Sequence, residues 1–226
     1  MTELLALIRS PRRGAAAVLA RGSLPVAVVL VLTATAVAAI NAARFAGDVP
    51  VSSVLFGDTR SPAITTLIDA LGRDRAAIIA YLIEQSWTAV VVVTAIAPLL
   101  VWLLGASAVH AAARLDGARR PFRPVLVLFG YATALARIPS DGAAAVLGNG
   151  QGGGAQIARI IGAASLAWLA MVAWRAIEIH YELTGRRALI VLFFAVVVFY
   201  VVPLVLIVAS VVVLVVAAVL LEYVPR

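Results

Sequence analysis

Arg137 and Asp141 are the charged residues that lie closest to the middle of a long apolar segment. Ionisable side chains at such a depth are costly to bury, and they commonly mark a site for ions or solutes. The two residues are four positions apart, as in an ion pair on one helix face, but Pro139 between them interrupts a regular helical turn. We therefore predict a helix break at the outer interface of the membrane, with Arg137 extended toward the headgroups, and keep a transport site as the alternative.

Ser107 and His110 lie three positions apart in another apolar segment. A serine activated by a histidine is the nucleophile of many hydrolases. Intramembrane rhomboid proteases carry that serine in a Gly-x-Ser-Gly loop and the histidine on a different span, whereas Ala108 replaces the second glycine here. Two side chains on one helix also point in parallel directions. We therefore expect no enzyme, and we expect these small residues to let neighbouring helices approach closely.

The sequence gives no support to a metal or cofactor site. It contains no Cys and only two His, His110 and His180, which lie too far apart for a His-Glu-x-x-His motif. Residues 148–154 are rich in glycine, but no strand precedes them and no Gly-Lys-Ser/Thr follows, as a phosphate-binding loop requires. We expect no metal and no cofactor, and a flexible connection at residues 148–154.

The composition places these residues in a lipid bilayer. Of the 226 residues 64% are apolar and 13% are charged, and the mean hydropathy is +1.08. A helix needs about 20 apolar residues to cross the hydrocarbon core. The sequence therefore predicts an all-α fold: a polytopic integral membrane helix bundle with five transmembrane helices and short interfacial amphipathic helices. The predicted spans cover residues 24–43, 87–110, 122–147, 157–179 and 188–221.

The chain divides into an interfacial segment, residues 1–23, and a single membrane domain, residues 24–226. In the first segment, residues 3–20 carry Leu, Ile and Val on both sides of Arg9, Arg12 and Arg13, which is typical of a helix on the membrane surface. In the membrane domain, residues 44–86 form a long outer loop.

Two further helical features are predicted in the membrane domain. Residues 61–72 have the apolar spacing of a short amphipathic helix, and a second helix begins at Asp74 and runs into the second span. The last apolar segment offers no polar turn, so we predict one long helix that bends near Pro203.

The net charge of +7 is carried by 18 Arg and no Lys. These Arg residues flank the apolar spans, so they indicate membrane topology and not nucleic-acid binding. With the N-terminus in the cytoplasm, 11 of the 18 fall on cytoplasmic segments. We therefore expect a multi-pass protein of the cell membrane with its N-terminus inside, its C-terminus outside, and anionic lipid headgroups as partners at the inner loops.

Three stretches form a recognisable pattern: residues 109–117, residues 121–132 and residues 179–189. They resemble the inner loop, the third span and the link between spans four and five of the Yip family, membrane proteins first described as interacting with Rab-type GTPases. The positions that carry the resemblance are His110, Arg114, Leu115, Gly117, Phe122, Gly130, Tyr131 and His180. The resemblance covers residues 108–200, and it implies five spans with the N-terminus inside and no assigned reaction.

This sequence departs from the family pattern at several points. Gly117 is followed by Ala118 in place of a second glycine, and the proline that follows the Gly-Tyr pair is delayed to Pro139. The Asp-Leu-Tyr-Gly-Pro motif of eukaryotic members is missing. Rab binding is therefore not expected, and the short loops and alanine-rich spans resemble the bacterial branch.

The leading functional hypothesis is a non-enzymatic scaffold that organises the membrane or binds a partner. Arg119, Arg120 and Arg123 would contact lipid headgroups, a protein partner or a second copy of the chain. The alternative hypothesis is a component of a small-solute or ion transporter, which would use Arg137 and Asp141 at a broken third span.

Overall fold

The structure, a computed structural model, describes residues 2–48, 73–148 and 152–222. Within these segments all regular secondary structure is helical, which confirms the predicted all-α fold. The helices of the described segments, numbered in chain order, are α1 (Thr2–Arg9), α2 (Pro11–Arg21), α3 (Leu24–Asp48), α4 (Arg73–Leu115), α5 (Arg123–Leu147), α6 (Gly153–His180) and α7 (Gly185–Glu222).

Three of these helices contain segments that are long and apolar enough to cross a membrane. The segments are Leu24–Phe45 in α3, Trp87–Leu115 in α4 and Gly153–His180 in α6. They correspond to the first, second and fourth predicted spans. The count of five also requires α5 and α7 to cross the bilayer, and it stays a prediction.

The ends of α4 and α7 agree with the sequence analysis. α4 begins at Arg73, one residue before the predicted start, and continues without interruption into its apolar segment. α7 is one helix of 38 residues, as expected from a segment without a polar turn. The bend near Pro203 stays a prediction, and the amphipathic helix predicted at residues 61–72 lies outside the described residues.

The N-terminal segment forms two helices and not one. α1 ends before Ser10, whose backbone is extended (φ −151°, ψ 98°), and α2 begins with Pro11. A proline disfavours helical geometry in the residue before it, which explains the break. The apolar faces pack on each other and on the bundle, because Leu7 and Val18 are buried in one cluster with Leu128 of α5. Much of the apolar surface expected to face lipid therefore faces protein.

α5 lies at the centre of the bundle. It contacts α1, α2, α3, α4 and α6, and every residue from Val127 to Ala134 is buried. A helix that is buried on all sides needs neighbours with small side chains, because only these let the backbones come close. α3 supplies such a surface: Ala27, Ala34 and Ala38 are fully buried at helical spacing. We call this buried face of α3 the alanine seam.

Gly130 is the point where α5 approaches two helices at once. A Cβ atom at this position would lie 2.7 Å from Ala27 Cβ of α3 and 3.2 Å from Trp102 Nε1 of α4. The Trp102 indole in turn donates a hydrogen bond of 2.8 Å to the carbonyl of Leu126, in the first turn of α5. The glycine therefore fixes the spacing of α3, α4 and α5.

The predicted break at Pro139 is wrong, because α5 continues through this residue to Leu147. Proline lacks the N–H that would bond to the carbonyl four residues earlier. In membrane helices neighbouring elements compensate for such losses. Here α3, α4 and α6 surround α5, and Arg44 at the end of α3 donates a hydrogen bond to the carbonyl of Ala145.

We expect Gly130→Ala to destabilise the protein and Gly142→Ala to leave it unchanged or more stable. Both changes raise helix propensity in α5 by about 1 kcal/mol. At Gly142 the nearest atom to a new Cβ is 4.0 Å away, whereas at Gly130 the contact of 2.7 Å forces α3 outward. Overpacking of this kind costs about 1–3 kcal/mol. Thermal unfolding in detergent measures the difference, and equal melting temperatures for the two variants would contradict the expected role of Gly130.

Candidate functional site

One end of the bundle collects most of the basic residues. It contains α1 and α2, the connection between α4 and α5 at residues 116–122, and the connection between α6 and α7 at residues 181–184. We call it the basic end. Its Arg residues are Arg9, Arg12, Arg13, Arg21, Arg114, Arg119, Arg120, Arg123, Arg175, Arg186 and Arg187. The described acidic residues at this end are Glu3, Asp116, Glu178 and Glu182, so it carries a large positive charge.

The connection between α4 and α5 starts with a tight turn at Gly117. The N–H of Gly117 bonds to the carbonyl of Arg114 at 3.0 Å, and the N–H of Ala118 bonds to the carbonyl of Ala113 at 3.0 Å. This pair of bonds is the Schellman motif that ends many helices, and it requires a left-handed residue. Gly117 has φ +92°. The left-handed backbone of this turn therefore explains the first glycine of the family pattern, Gly117. Ala118 occupies the position of the second glycine, which does not require a left-handed backbone.

Two histidines hold this connection against the next one. His110 of α4 and the hydroxyl of Tyr181 lie 2.8 Å apart, measured from Nδ1, and the His110 ring packs on Phe122 with centroids 5.0 Å apart. His180 Nε2 lies 2.8 Å from the carbonyl oxygen of Pro121. A carbonyl only accepts, so His180 donates this bond. We call His110, Tyr181, His180 and Pro121 the histidine clamp.

Tyr181 is the most buried of the polar groups in the clamp. It is 5% exposed, and burial raises the pKa of its hydroxyl above the ordinary value, an effect that the nearby Arg114 partly offsets. The hydroxyl therefore stays protonated at neutral pH and remains available for the hydrogen bond with His110.

Two ion pairs link the same connections at the surface. Arg120 pairs with Glu182, and Arg187 of α7 lies 3.6 Å from Asp116, measured from Nη2 to Oδ1. Exposed pairs of this kind contribute about 0–1 kcal/mol each. These pairs orient the two connections more than they stabilise them. The pair with Glu182 also partly neutralises Arg120, one of the three arginines predicted to contact lipid or a partner.

The other basic side chains of the connection remain open. Arg119 and Arg123 are exposed, and neither forms an ion pair within the part of the chain that the structure describes. Arg114 and Arg119, with Gly117 and Ala118 between them, line a cavity of about 470 Å³. We call this cavity the arginine recess. The described lining of this cavity holds two Arg residues and no acidic residue, and guanidinium groups suit an anionic group such as a phosphate or a carboxylate.

The structure separates the residues of the family pattern into two sets. Those at the basic end are His110, Arg114, Leu115, Gly117, Phe122 and His180, of which Leu115 is 84% exposed. The others, Gly130 and Tyr131, are buried in the centre of α5 and serve packing. The sequence analysis missed Tyr181 as a partner of His110, because their contact joins residues 71 positions apart.

Arg137 and Asp141 lie at the opposite end of the bundle and form an ion pair, although the predicted break at Pro139 argued against such a pair. Arg137 Nε lies 3.1 Å from Asp141 Oδ2 on one face of α5, and the pair lines a cavity of about 440 Å³. Arg137 is therefore paired and does not extend alone to the interface. The suspected catalytic pair is not assembled: Ser107 is exposed, and the hydrogen bond of His110 goes to Tyr181. Among the described residues no group of three His, Asp or Glu side chains is placed to hold a metal ion.

Comparison with known proteins gives one match. A family model described as the Yip1 domain matches residues 5–207. The match spans most of the chain and includes α1 to α3, where the sequence analysis found no motif. No curated protein and no solved structure matches the chain.

We expect Tyr181→Phe to lower the stability of the basic end. The change leaves His110 without its partner in a half-buried site, at a cost of about 1–2 kcal/mol. Tyr200→Phe is the matched control, since Tyr200 is 68% exposed on α7. Hydrogen exchange of residues 110–122 in detergent is expected to rise in the first variant only. If both variants exchange like the wild type, the clamp does not hold the connection.

Proposed function

The chain belongs to the Yip1 domain family, and on that premise we propose that it is a non-enzymatic membrane scaffold whose arginine recess binds anionic lipid headgroups. It is a multi-pass membrane protein with apolar helices. The observation that carries the proposal is the arginine recess itself, in which Arg114 and Arg119 face one cavity beside a connection held by the histidine clamp.

The charge of the basic end supports a lipid as the partner. Its 11 Arg residues exceed its 4 described acidic residues, and basic side chains near an anionic leaflet gain about 1 kcal/mol each. A surface of this kind attracts any anionic membrane, while the recess adds a defined place for one headgroup. The clamp keeps that place fixed, so little ordering of the chain is needed on binding.

The same distribution supports the predicted orientation. Cytoplasmic loops are enriched in Arg and Lys, and folding brings the Arg residues of four separate segments to one end. We infer that the basic end faces the cytoplasm and that the protein resides in the cell membrane. The connection between α5 and α6 then faces outward.

The transporter hypothesis loses its main argument, because it depended on a broken third span. α5 is continuous, and the charges of Arg137 and Asp141 compensate each other. A non-enzymatic role agrees with the exposed position of Ser107 and with the hydrogen bond that joins His110 to Tyr181. A protein partner or a second copy at the basic end is the outcome to be expected if lipid binding fails in the following experiment.

We expect the double variant R114Q/R119Q to bind phosphatidylglycerol about 20- to 30-fold more weakly than the wild type, the loss of two contacts of about 1 kcal/mol each. Native mass spectrometry of protein in a phosphate-free detergent measures the bound lipid. R12Q/R13Q is the control, since it removes two exposed charges of α2 at the same end. An equal loss in both double variants would show diffuse attraction and no recess, and no loss in either would contradict the proposal.

The orientation is tested by labelling single cysteines, which is simple because the chain contains none. We expect a membrane-impermeant maleimide to label Q156C in intact cells and to label R13C only after permeabilisation. Both positions are exposed, and they lie at opposite ends of the bundle. The reverse pattern would place the basic end outside the cell.

A further inference from the structure

The cavity beside Arg137 and Asp141 has no part in the proposed function. It is an open cavity lined by residues of α3, α4, α5 and α6, has a volume of about 440 Å³, and lies at the end of the bundle opposite the basic end. Its polar lining consists of Asn41, Thr94, Arg137, Ser140, Asp141 and Arg159. We call it the polar cavity. Its volume falls within the range of about 300–1,000 Å³ that is typical of small-molecule sites.

We propose that the polar cavity binds a phosphate group, with Arg159 as the main contact. Asp141 is the only acidic side chain of this lining among the described residues. It is 4% exposed and lies 3.1 Å from Arg137 Nε. Its charge is already compensated, so it offers little to a cation.

Arg159 gives the polar cavity its net charge. It lines the same space from α6, and it forms no ion pair within residues 2–48, 73–148 and 152–222. With Arg137 and Asp141 neutralising each other, the described lining carries one uncompensated positive charge. Arg159 is exposed, and a guanidinium group without a counter-charge favours an anion, because its planar donors suit phosphate oxygens.

The surrounding backbone favours the same kind of ligand. Ala155 and Ala158 line the polar cavity and belong to the first two turns of α6, a helix of 28 residues. The N-terminus of a helix carries a partial positive charge and unpaired N–H groups. The hydroxyl of Ser140 supplies a further donor from α5.

The polar cavity lies along the C-terminal part of α5. Its lining extends along α5 from Arg137 to Gly148, a length of about 16 Å at 1.5 Å per residue. A phosphate reaches such a position either as the headgroup of an anionic lipid or as a free anion. The two sources share the chemistry that Arg159 recognises, and they differ in whether an acyl chain is attached.

The experiment measures both sources with protein in a phosphate-free detergent. Inorganic phosphate is titrated against the melting temperature at constant ionic strength set with chloride, and phosphatidylglycerol is titrated by native mass spectrometry. We expect R159Q to weaken one of the two by about ten-fold, the loss of one charge-assisted contact. Weaker binding of inorganic phosphate by R159Q would identify the ligand as a free anion. Weaker binding of phosphatidylglycerol alone would identify it as a lipid headgroup.

Two further variants separate binding from structural damage. R159K retains the charge and is expected to recover most of the affinity, whereas D141N adds one net positive charge and is expected to tighten binding several-fold. All these titrations are made in the R114Q/R119Q background, which removes the arginine recess as a second site for either probe, so the outcome is independent of that recess. Unchanged affinity of R159Q for both probes, or weaker binding by D141N in protein that melts like the wild type, would overturn the proposal.

Discussion

The bundle depends on the close contact of three helices around Gly130. In lipid, apolar side chains gain little by associating with each other, so helices are held together mainly by van der Waals contact between closely spaced backbones. The alanine seam of α3 and the absent side chain at Gly130 provide that spacing. With α5 buried along Val127–Ala134, the helices around it are positioned relative to one rigid element.

Both candidate sites inherit their geometry from this central helix. At the basic end, the bond from Trp102 to the carbonyl of Leu126 fixes the first turn of α5 against α4. The connection between α4 and α5 therefore has little conformational freedom, and the histidine clamp restricts it further. At the other end, α5 carries Arg137 and Asp141 on one face and presents them to α6, whose Arg159 completes the polar cavity. One helix thus positions two separate basic cavities: it follows the connection that lines the arginine recess, and it lines the polar cavity itself.

The sequence predicts the helices well and their packing poorly, for physical reasons. The apolar runs of α3, α4 and α6 locate these helices, because hydrophobic length is a property of the local sequence. The central place of α5 depends on which faces meet, and no local pattern records that. Pro139 shows the limit clearly: the rule that proline interrupts a helix is sound for an isolated segment, but the surrounding helices hold α5 continuous.

For the candidate sites, too, the sequence predicts single residues better than the contacts between them. His110, His180 and Arg114 were identified from the family pattern, and the structure gives the two histidines a shared task. Tyr181 and Arg159 were not identified, since their roles arise from contacts between distant segments. In the sequence, Arg159 does not differ from the other charged residues near the ends of spans. Its position in a cavity follows only from the packing of α6 on α5.

The alanine seam has a consequence for how the sequence of this protein can change over time. Ala27, Ala34 and Ala38 have no accessible surface, and their side chains are already close to the smallest available, so substitutions there are limited to residues of similar volume. On the opposite face of α3, Val29 and Ile40 are 62% and 56% exposed, and aliphatic residues of any shape are interchangeable. In related chains, the variation along α3 should therefore follow the helical period. Side-chain volume should stay constant on the buried face and vary freely on the exposed face.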